Sequence, residues 1–375
     1  MKKFLLVPDS FKGTLSSKRI CEILSEKIRE HFSGAEVISI PVADGGEGSV
    51  ECFLSAMQGE LIRCPSVNPF FEEMEGFYAL VGDGTTAVIE MAACAGLPLV
   101  EDRKNPMLAT TYGVGLLIKD ALSRGVKEII LGLGGSATND FGCGAAAALG
   151  VTFYGEDGAP FIPTGGTLSK VTRVNTAGNL LDGVTVKLMC DVKNPVYGQE
   201  GAAFVYAPQK GATMSQVKAL DEGLRHICEV VYRDLKKDLS TLAGGGAAGA
   251  MAGGMVAFFG ASIQMGIEVV LDTVNFDGLL ENADFVFTGE GKIDEQSLQG
   301  KVVAGVAKRA QAKGVPVAVV VGGEEGDMSK AYALGVTAVF PINRLPEDFS
   351  ISRHKSEENL RKTADNILRL LKIAK

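Results

Sequence analysis

Strand–helix alternation runs through both ends of this chain and breaks off in the middle, and that interruption limits the folds open to it. At the start, the pattern predicts strands over 3–7 and 36–42 and helices over 16–32 and 48–57. In the first helix Ile20, Ile23, Leu24, Ile28 and Phe32 recur at helical spacing, opposite Lys18, Arg19, Glu22, Glu26 and Arg29. The alternation returns at Asp284, with strands over 285–288, 315–321 and 338–342 and helices over 302–312, 330–334 and 357–373. Two strands at one end and three at the other are each too few for an ordinary sheet, but together they make one. The reading is therefore α/β: a doubly wound, mostly parallel domain, Rossmann-like or flavodoxin-like, built from residues 1–66 and 283–375. A mixed-sheet α/β domain of residues 67–282 is inserted into it. Two sequential domains are the alternative.

The insert announces itself by antiparallel pairing. Two short strands over 77–81 and 86–89 flank Gly82-Asp83-Gly84-Thr85, a hairpin signal, and Pro65 and Pro69 mark the transition into it. Helices over 112–124 and 215–235 and a strand over 184–189 follow. Residues 242–267 carry no charge and are long enough to span a bilayer. They also hold eight glycines, which weaken a helix, so a buried Gly/Ala-rich segment is the better reading and no membrane partner is expected.

The most polar turn of the insert lies in IILGLGGSATNDFGCGAAAA, residues 129–148. A strand hands over to a helix there, the place where α/β proteins bind anions on backbone N–H groups and the helix dipole. Gly134 and Gly135 are followed by Ser136, Thr138, Asn139 and Asp140. A helix cap uses one or two such side chains, so this turn points to a phosphate or carboxylate ligand.

Several function classes drop out. A formal charge of -8 argues against nucleic acid, which selects basic surfaces. The apolar run behind Lys2 and Lys3 stops at Pro8, too short for an export signal. Seven cysteines without a C-x-x-C pair suit free thiols in a reducing cytoplasm. None of the three histidines, His31, His226 and His354, sits in a glycine-rich loop, so neither a Ser-His-Asp site nor a histidine metal site is expected. GEGKID lacks the Ser or Thr of a Walker A motif, and Gly244, Gly246 and Gly249 match G-x-G-x-x-G without a preceding strand.

What remains is a set of loops rich in Asp, Glu, Lys, Ser and Gly: PDSFKGT, ADGGEG, GGSATND, CDVKNPVYG and TGEGKIDEQSLQGK. Such loops suit phosphates and a divalent cation. Asp191 comes directly off a strand, as a helix cap, a metal ligand or a general base; Asn194-Pro195 favours a turn and so counts against the cap. Asp44 and Glu47 are either turn formers among glycines or ligand groups. Lys12, Lys292 and Lys301, in loops of an acidic protein, are candidate anion partners.

The series DSFKG, PVADGGEG, LGGSATNDFGCG, CDVKNP, APQKGA, GGGAAGAMAGG, GIEVV and TGEGKIDEQSLQGK, in this order, resembles the bacterial glycerate kinases that phosphorylate D-glycerate with ATP. The resemblance implies transfer of the γ-phosphoryl group to a glycerate hydroxyl, at C2, in a two-domain α/β enzyme that is a monomer or homodimer and uses ATP and Mg2+ in glyoxylate or sugar-acid breakdown. A kinase for another small hydroxy acid and a nucleotide- or metabolite-sensing protein are the alternatives. Two departures stand out: Lys292 where Arg is expected, and Phe141-Gly142-Cys143 in place of a more glycine-rich run. Phosphoryl transfer needs charge neutralisation, donors around the γ-phosphate and a proton acceptor. On that basis Gly134, Gly135, Ser136, Thr138 and Asn139 are expected to hold the nucleotide phosphates. Asp191 is expected to act as base or Mg2+ ligand, and Lys12 to face the carboxylate or the transferring group. Ser10, Asp44, Gly45, Gly46, Glu47, Lys292 and Asp294 would surround the acid.

Overall fold

The computed structural model describes residues 1–42, 46, 48–294, 297–298 and 300–373. Its strands are, in chain order, β1 (Lys3–Pro8), β2 (Glu36–Ser39), β3 (Gly59–Val67), β4 (Glu73–Val81), β5 (Thr86–Glu90), β6 (Glu128–Gly132) and β7 (Thr152–Tyr154). They continue as β8 (Pro160–Phe161), β9 (Arg173–Asn175), β10 (Thr185–Met189), β11 (Ser262–Gln264), β12 (Phe285–Ile293), β13 (Val317–Glu324) and β14 (Ala338–Pro341). The chain forms two units: Met1–Ala43, Glu51–Met57 and Ile267–Lys375 make one, Asp44–Val50 and Gln58–Gly266 the other.

The first unit is a five-stranded, wholly parallel sheet in the order β14-β13-β12-β1-β2. Numbered within the unit this is 2-1-3-4-5, the flavodoxin-like arrangement, whose order reverses between β1 and β12. Phe4 and Leu6 of β1 and Phe285 and Phe287 of β12 bury one face under the helices Ser17–His31 and Ser356–Ile373, which contribute Ile20, Leu24, Leu360, Ala364 and Ile367. Arg361 reaches Glu26 at 2.7 Å between those helices. The first helix starts where its sequence says it should, with the Ser16 hydroxyl accepting the N–H of Arg19.

Strand β12 runs five residues past the predicted end at Thr288, to Ile293. The glycines that read as a loop serve close strand packing instead: a Cβ on Gly289 would lie 1.9 Å from the carbonyl oxygen of Val320 on β13. Lys292 is therefore a strand residue.

The second unit holds a six-stranded sheet in the order β11-β10-β6-β5-β4-β3, parallel from β11 to β5 and antiparallel beyond. The hairpin turns at residues 82–85 as the Asp-Gly signal implies. Residues 59–66, read from sequence as part of the terminal domain, form β3 at the edge of this sheet, while residues 267–282 group with the first unit. Ile89, Leu131 and Leu188 of the sheet pack with Val114 and Leu117 of the helix Tyr112–Ser123 and with Met251 and Met255 of the helix Ala247–Phe259. A small sheet, β8-β7-β9, puts Phe153 into a second cluster with Phe141 and Phe258. The Gly/Ala-rich segment is buried. Among the described residues no helix is long and apolar enough to cross a membrane.

Candidate functional site

In the second unit the parallel strands β6 and β10 deliver their following turns to one cavity of about 510 Å³, lined among others by Gly134, Gly135, Ser136, Asp191, Lys210 and Ala248. Four motifs far apart in sequence meet here because glycine lets their backbones touch. A Cβ on Gly249 would sit 2.0 Å from the carbonyl oxygen of Thr138, and one on Gly246 would sit 2.2 Å from that of Pro195. Ala248, Gly249 and Ala250 run consecutively through the left-handed region, at φ 57°, 65° and 67°. For alanine that conformation is costly, and a strained run beside a cavity marks a place where backbone shape matters.

The polar side chains of GGSATND divide between two tasks. Asp140 is fully buried, and its carboxylate accepts the N–H and hydroxyl of Thr111, each at 2.8 Å, and the N–H groups of Gly142 and Gly144 at 3.1 and 3.2 Å. It braces the start of the helix Cys143–Ala148. Burial raises its pKa, against the pull of these four donors. Thr138 and Asn139 are also fully buried, and the Thr138 hydroxyl and both amide atoms of Asn139 have no hydrogen-bond partner among the described residues. Gly134, Gly135 and Ser136 line the cavity.

The cation of this site was not foreseen. Lys210 is 2% exposed; its Nζ donates to Ser136 Oγ and to the carbonyl oxygen of Thr138, both at 2.7 Å. Burial lowers its pKa to about 7, with the charge of Asp140 opposing. Nothing local in APQKGA marks this lysine as buried, because its partners lie 72 and 74 residues upstream. Asp191, half-buried, lines the same cavity and accepts the N–H of Gly266 at 2.8 Å. Tyr206 lines it too, its hydroxyl donating to Asn194 Oδ1 at 2.6 Å. Gly46 is the described member of ADGGEG at the cavity, and its carbonyl accepts the Ser49 hydroxyl at 2.8 Å. Asp44, Gly45 and Glu47 lie outside the described residues. Glu90, at the end of β5, is buried and accepts the N–H of Val50 at 2.6 Å.

In the first unit the other candidates gather at the point between β1 and β12 where strand order reverses, the usual ligand crevice of such sheets. The loop after β1 is tied down by Asp9 N–H to the carbonyl oxygen of Gly289 at 2.8 Å and by a tight turn from Phe11 to Leu15. Ser10 is half-buried and Lys12 exposed on this loop. Lys292 is exposed and ion-paired with Glu325, so its charge is already answered. Asp294 accepts the N–H of Ser297 at 3.0 Å. The Ser297 hydroxyl donates to Glu290 Oε2 at 2.9 Å, while Glu290 Oε1 is buried without a partner among the described residues. Burial, reinforced by the negative charges of Asp9 and Asp294, pushes the Glu290 carboxyl up to about 7; Ser297 and Lys301 act in the opposite direction. Sequence reading missed Glu290 because it treated GEGKID as loop.

Among the described residues no cluster of three or more His, Cys, Asp or Glu side chains could hold a metal ion.

A family model described as the glycerate kinase family matches residues 4–372. The chain is 40% identical to a glycerate kinase of Haemophilus influenzae over 372 residues, covering 98% of both chains. It is 38% identical to the glycerate 2-kinase of Escherichia coli over 343 residues, covering 91% of this chain and 90% of the relative. A crystal structure from Salmonella typhimurium LT2 described as glycerate kinase 2 superposes with a TM-score of 0.88 at 37% identity, over 100% of this chain and 99% of that one.

Proposed function

This chain belongs to the glycerate kinase family, and from that premise we propose that it transfers the γ-phosphoryl group of ATP to the 2-hydroxyl of D-glycerate, giving 2-phosphoglycerate. The observation that carries the reading is the cavity where a glycine-rich strand-to-helix turn, a buried lysine and a strand-end carboxylate converge. Position C2 is favoured by the relative named glycerate 2-kinase.

In the proposed reaction the glycerate oxygen forms a bond to the γ-phosphorus as the bond from that phosphorus to the β,γ-bridging oxygen of ADP breaks. The hydroxyl proton passes to a carboxylate. Catalysis is then positioning plus stabilisation of charge. The N–H groups of the turn at Gly134 and Gly135 and the Ser136 hydroxyl would hold phosphate oxygens, and Thr138 and Asn139 lie buried behind them. Mg2+ arriving with the nucleotide would neutralise phosphate charge, and Asp191 is the carboxylate that would hold it; failing that role, Asp191 is the base. For the acid, Gly46 is the candidate at this cavity, and in the first unit the candidates are Ser10, Lys12 and Asp294 at the strand-order switch. Lys292, exposed and paired with Glu325, takes the smallest part.

The test is ADP release with ATP, Mg2+ and a panel of hydroxy acids, followed by ³¹P NMR of the product. D-glycerate should be turned over well above the others and yield the 2-phosphate. A 3-phosphate product overturns the regiochemistry, and preference for a different acid overturns the substrate. Nucleotide binding with no phosphorylated product would leave a sensing protein.

A further inference from the structure

Lys210 is a buried lysine without a carboxylate partner among the described residues. Among the described residues no Asp or Glu oxygen lies within 4.0 Å of its Nζ, and its contacts are a hydroxyl and a carbonyl oxygen. Leaving an ammonium buried with only neutral partners is expensive, so such groups are paired, or lose their proton. An ammonium has three donors, and two are spent on the GGSATND turn. The same residue lines the cavity with Gly134, Gly135 and Ser136, a turn shaped for an anion.

We infer that its counter-ion is the ligand: Lys210 is the cation of the phosphate subsite, bracing the turn with two N–H groups and giving the third to a phosphate oxygen. The inference rests on the reading of this cavity as the nucleotide phosphate site, and it assigns the charge neutralisation there to a lysine outside the loop. It also makes binding and protonation one event. Burial holds Lys210 near neutrality at mild alkaline pH, and an arriving phosphate restores the proton. The other titratable groups around it are engaged elsewhere, exposed or neutral. Asp140 is saturated by four donors, Asp191 is bonded to Gly266, and Lys104, packed against neighbouring Gly211, is exposed. The Tyr206 hydroxyl and Cys190 thiol are both pushed up by burial and stay neutral.

The experiment is isothermal titration of ADP into the full-length protein at pH 8, in buffers of different ionisation enthalpy, with inorganic pyrophosphate as a second probe. A lysine at about 7 is roughly one-tenth charged at pH 8, so wild type should take up as much as about 0.9 proton per ADP. Lys210→Arg, charged at every pH, should abolish the uptake and retain much of the affinity. Lys210→Met should abolish the uptake and weaken ADP by on the order of tenfold to a hundredfold, as expected for a lost hydrogen bond to a charged group. A lysine that merely braces the turn predicts no proton uptake in wild type. That result, or uptake that survives in both variants, overturns the inference. The two readings fail separately: proton uptake with ADP but no phosphorylation of glycerate refutes the proposed reaction alone, and an active kinase without uptake refutes the role of Lys210 alone.

Discussion

Replacing Glu290 by Gln should make the protein more stable, and only at neutral to alkaline pH. The carboxyl is 9% exposed, with one oxygen on Ser297 and the other without a partner among the described residues. Folding moves its pKa from 4.5 to about 7. Charging it in the folded protein therefore costs about 3 kcal/mol more than charging it in the unfolded chain, at about 1.4 kcal/mol per pH unit. The folded state holds the proton more tightly, so Glu290 adds no penalty below pH 4.5, an increasing one as pH rises towards 7, and its full penalty above that. Glutamine is neutral throughout and its carbonyl can still accept the Ser297 hydroxyl. The variant should gain up to about 3 kcal/mol over wild type at pH 8 to 9, less whatever water entry already relieves, and almost nothing near pH 4.5. Urea unfolding of both proteins across that range measures the difference. Parallel curves at all pH values refute the reasoning. A carboxyl kept at such a cost in a ligand crevice is a functional candidate, so the stabilised variant should also lose turnover.

The remaining tests separate the parts of the proposed site. Asp191→Asn keeps an oxygen for the N–H of Gly266, so circular dichroism should be unchanged while kcat falls at least about 100-fold; near-normal turnover removes Asp191 from the mechanism. Ser136→Ala should raise the KM for ATP severalfold and leave that for glycerate within about twofold, and the reverse pattern would exchange the ligands assigned to the two sets of loops. Thr138→Val removes a buried hydroxyl with no partner among the described residues and keeps its shape, so it should raise the unfolding free energy by about 1 kcal/mol; a loss of that size would mean that the hydroxyl is bonded to an internal water.

Sequence reading was sound where burial is periodic and misled where a residue has two uses. The helices Ser17–His31 and Ser356–Ile373 and the strands that open and close the chain repeat their apolar positions over several turns, and so the doubly wound sheet was visible in advance. Pro65 looked like a boundary because proline breaks strand pairing. It lies in β3, an edge strand, where one side of the backbone has no neighbour to bond. Gly289 and Gly291 looked like a loop because glycine serves turns and close packing equally well. Strands of two or three residues, such as β7 and β8, are too short to show a period at all.

The same double use governs the site. GGSATND was read as ligand machinery because four polar side chains exceed what a turn needs. One of the four, Asp140, is consumed by four donors in starting the next helix, and two more, Thr138 and Asn139, are sealed inside. That leaves Ser136 and the backbone of two glycines, a surface that can shape an anion but brings no charge to it. The charge comes from Lys210, whose placement depends on the turn's own fold, since its partners are Ser136 Oγ and the Thr138 carbonyl. Of the motif's four polar side chains, Ser136 alone bonds the buried lysine, and Asp140 starts the next helix. A sequence alone shows the excess but not what it holds.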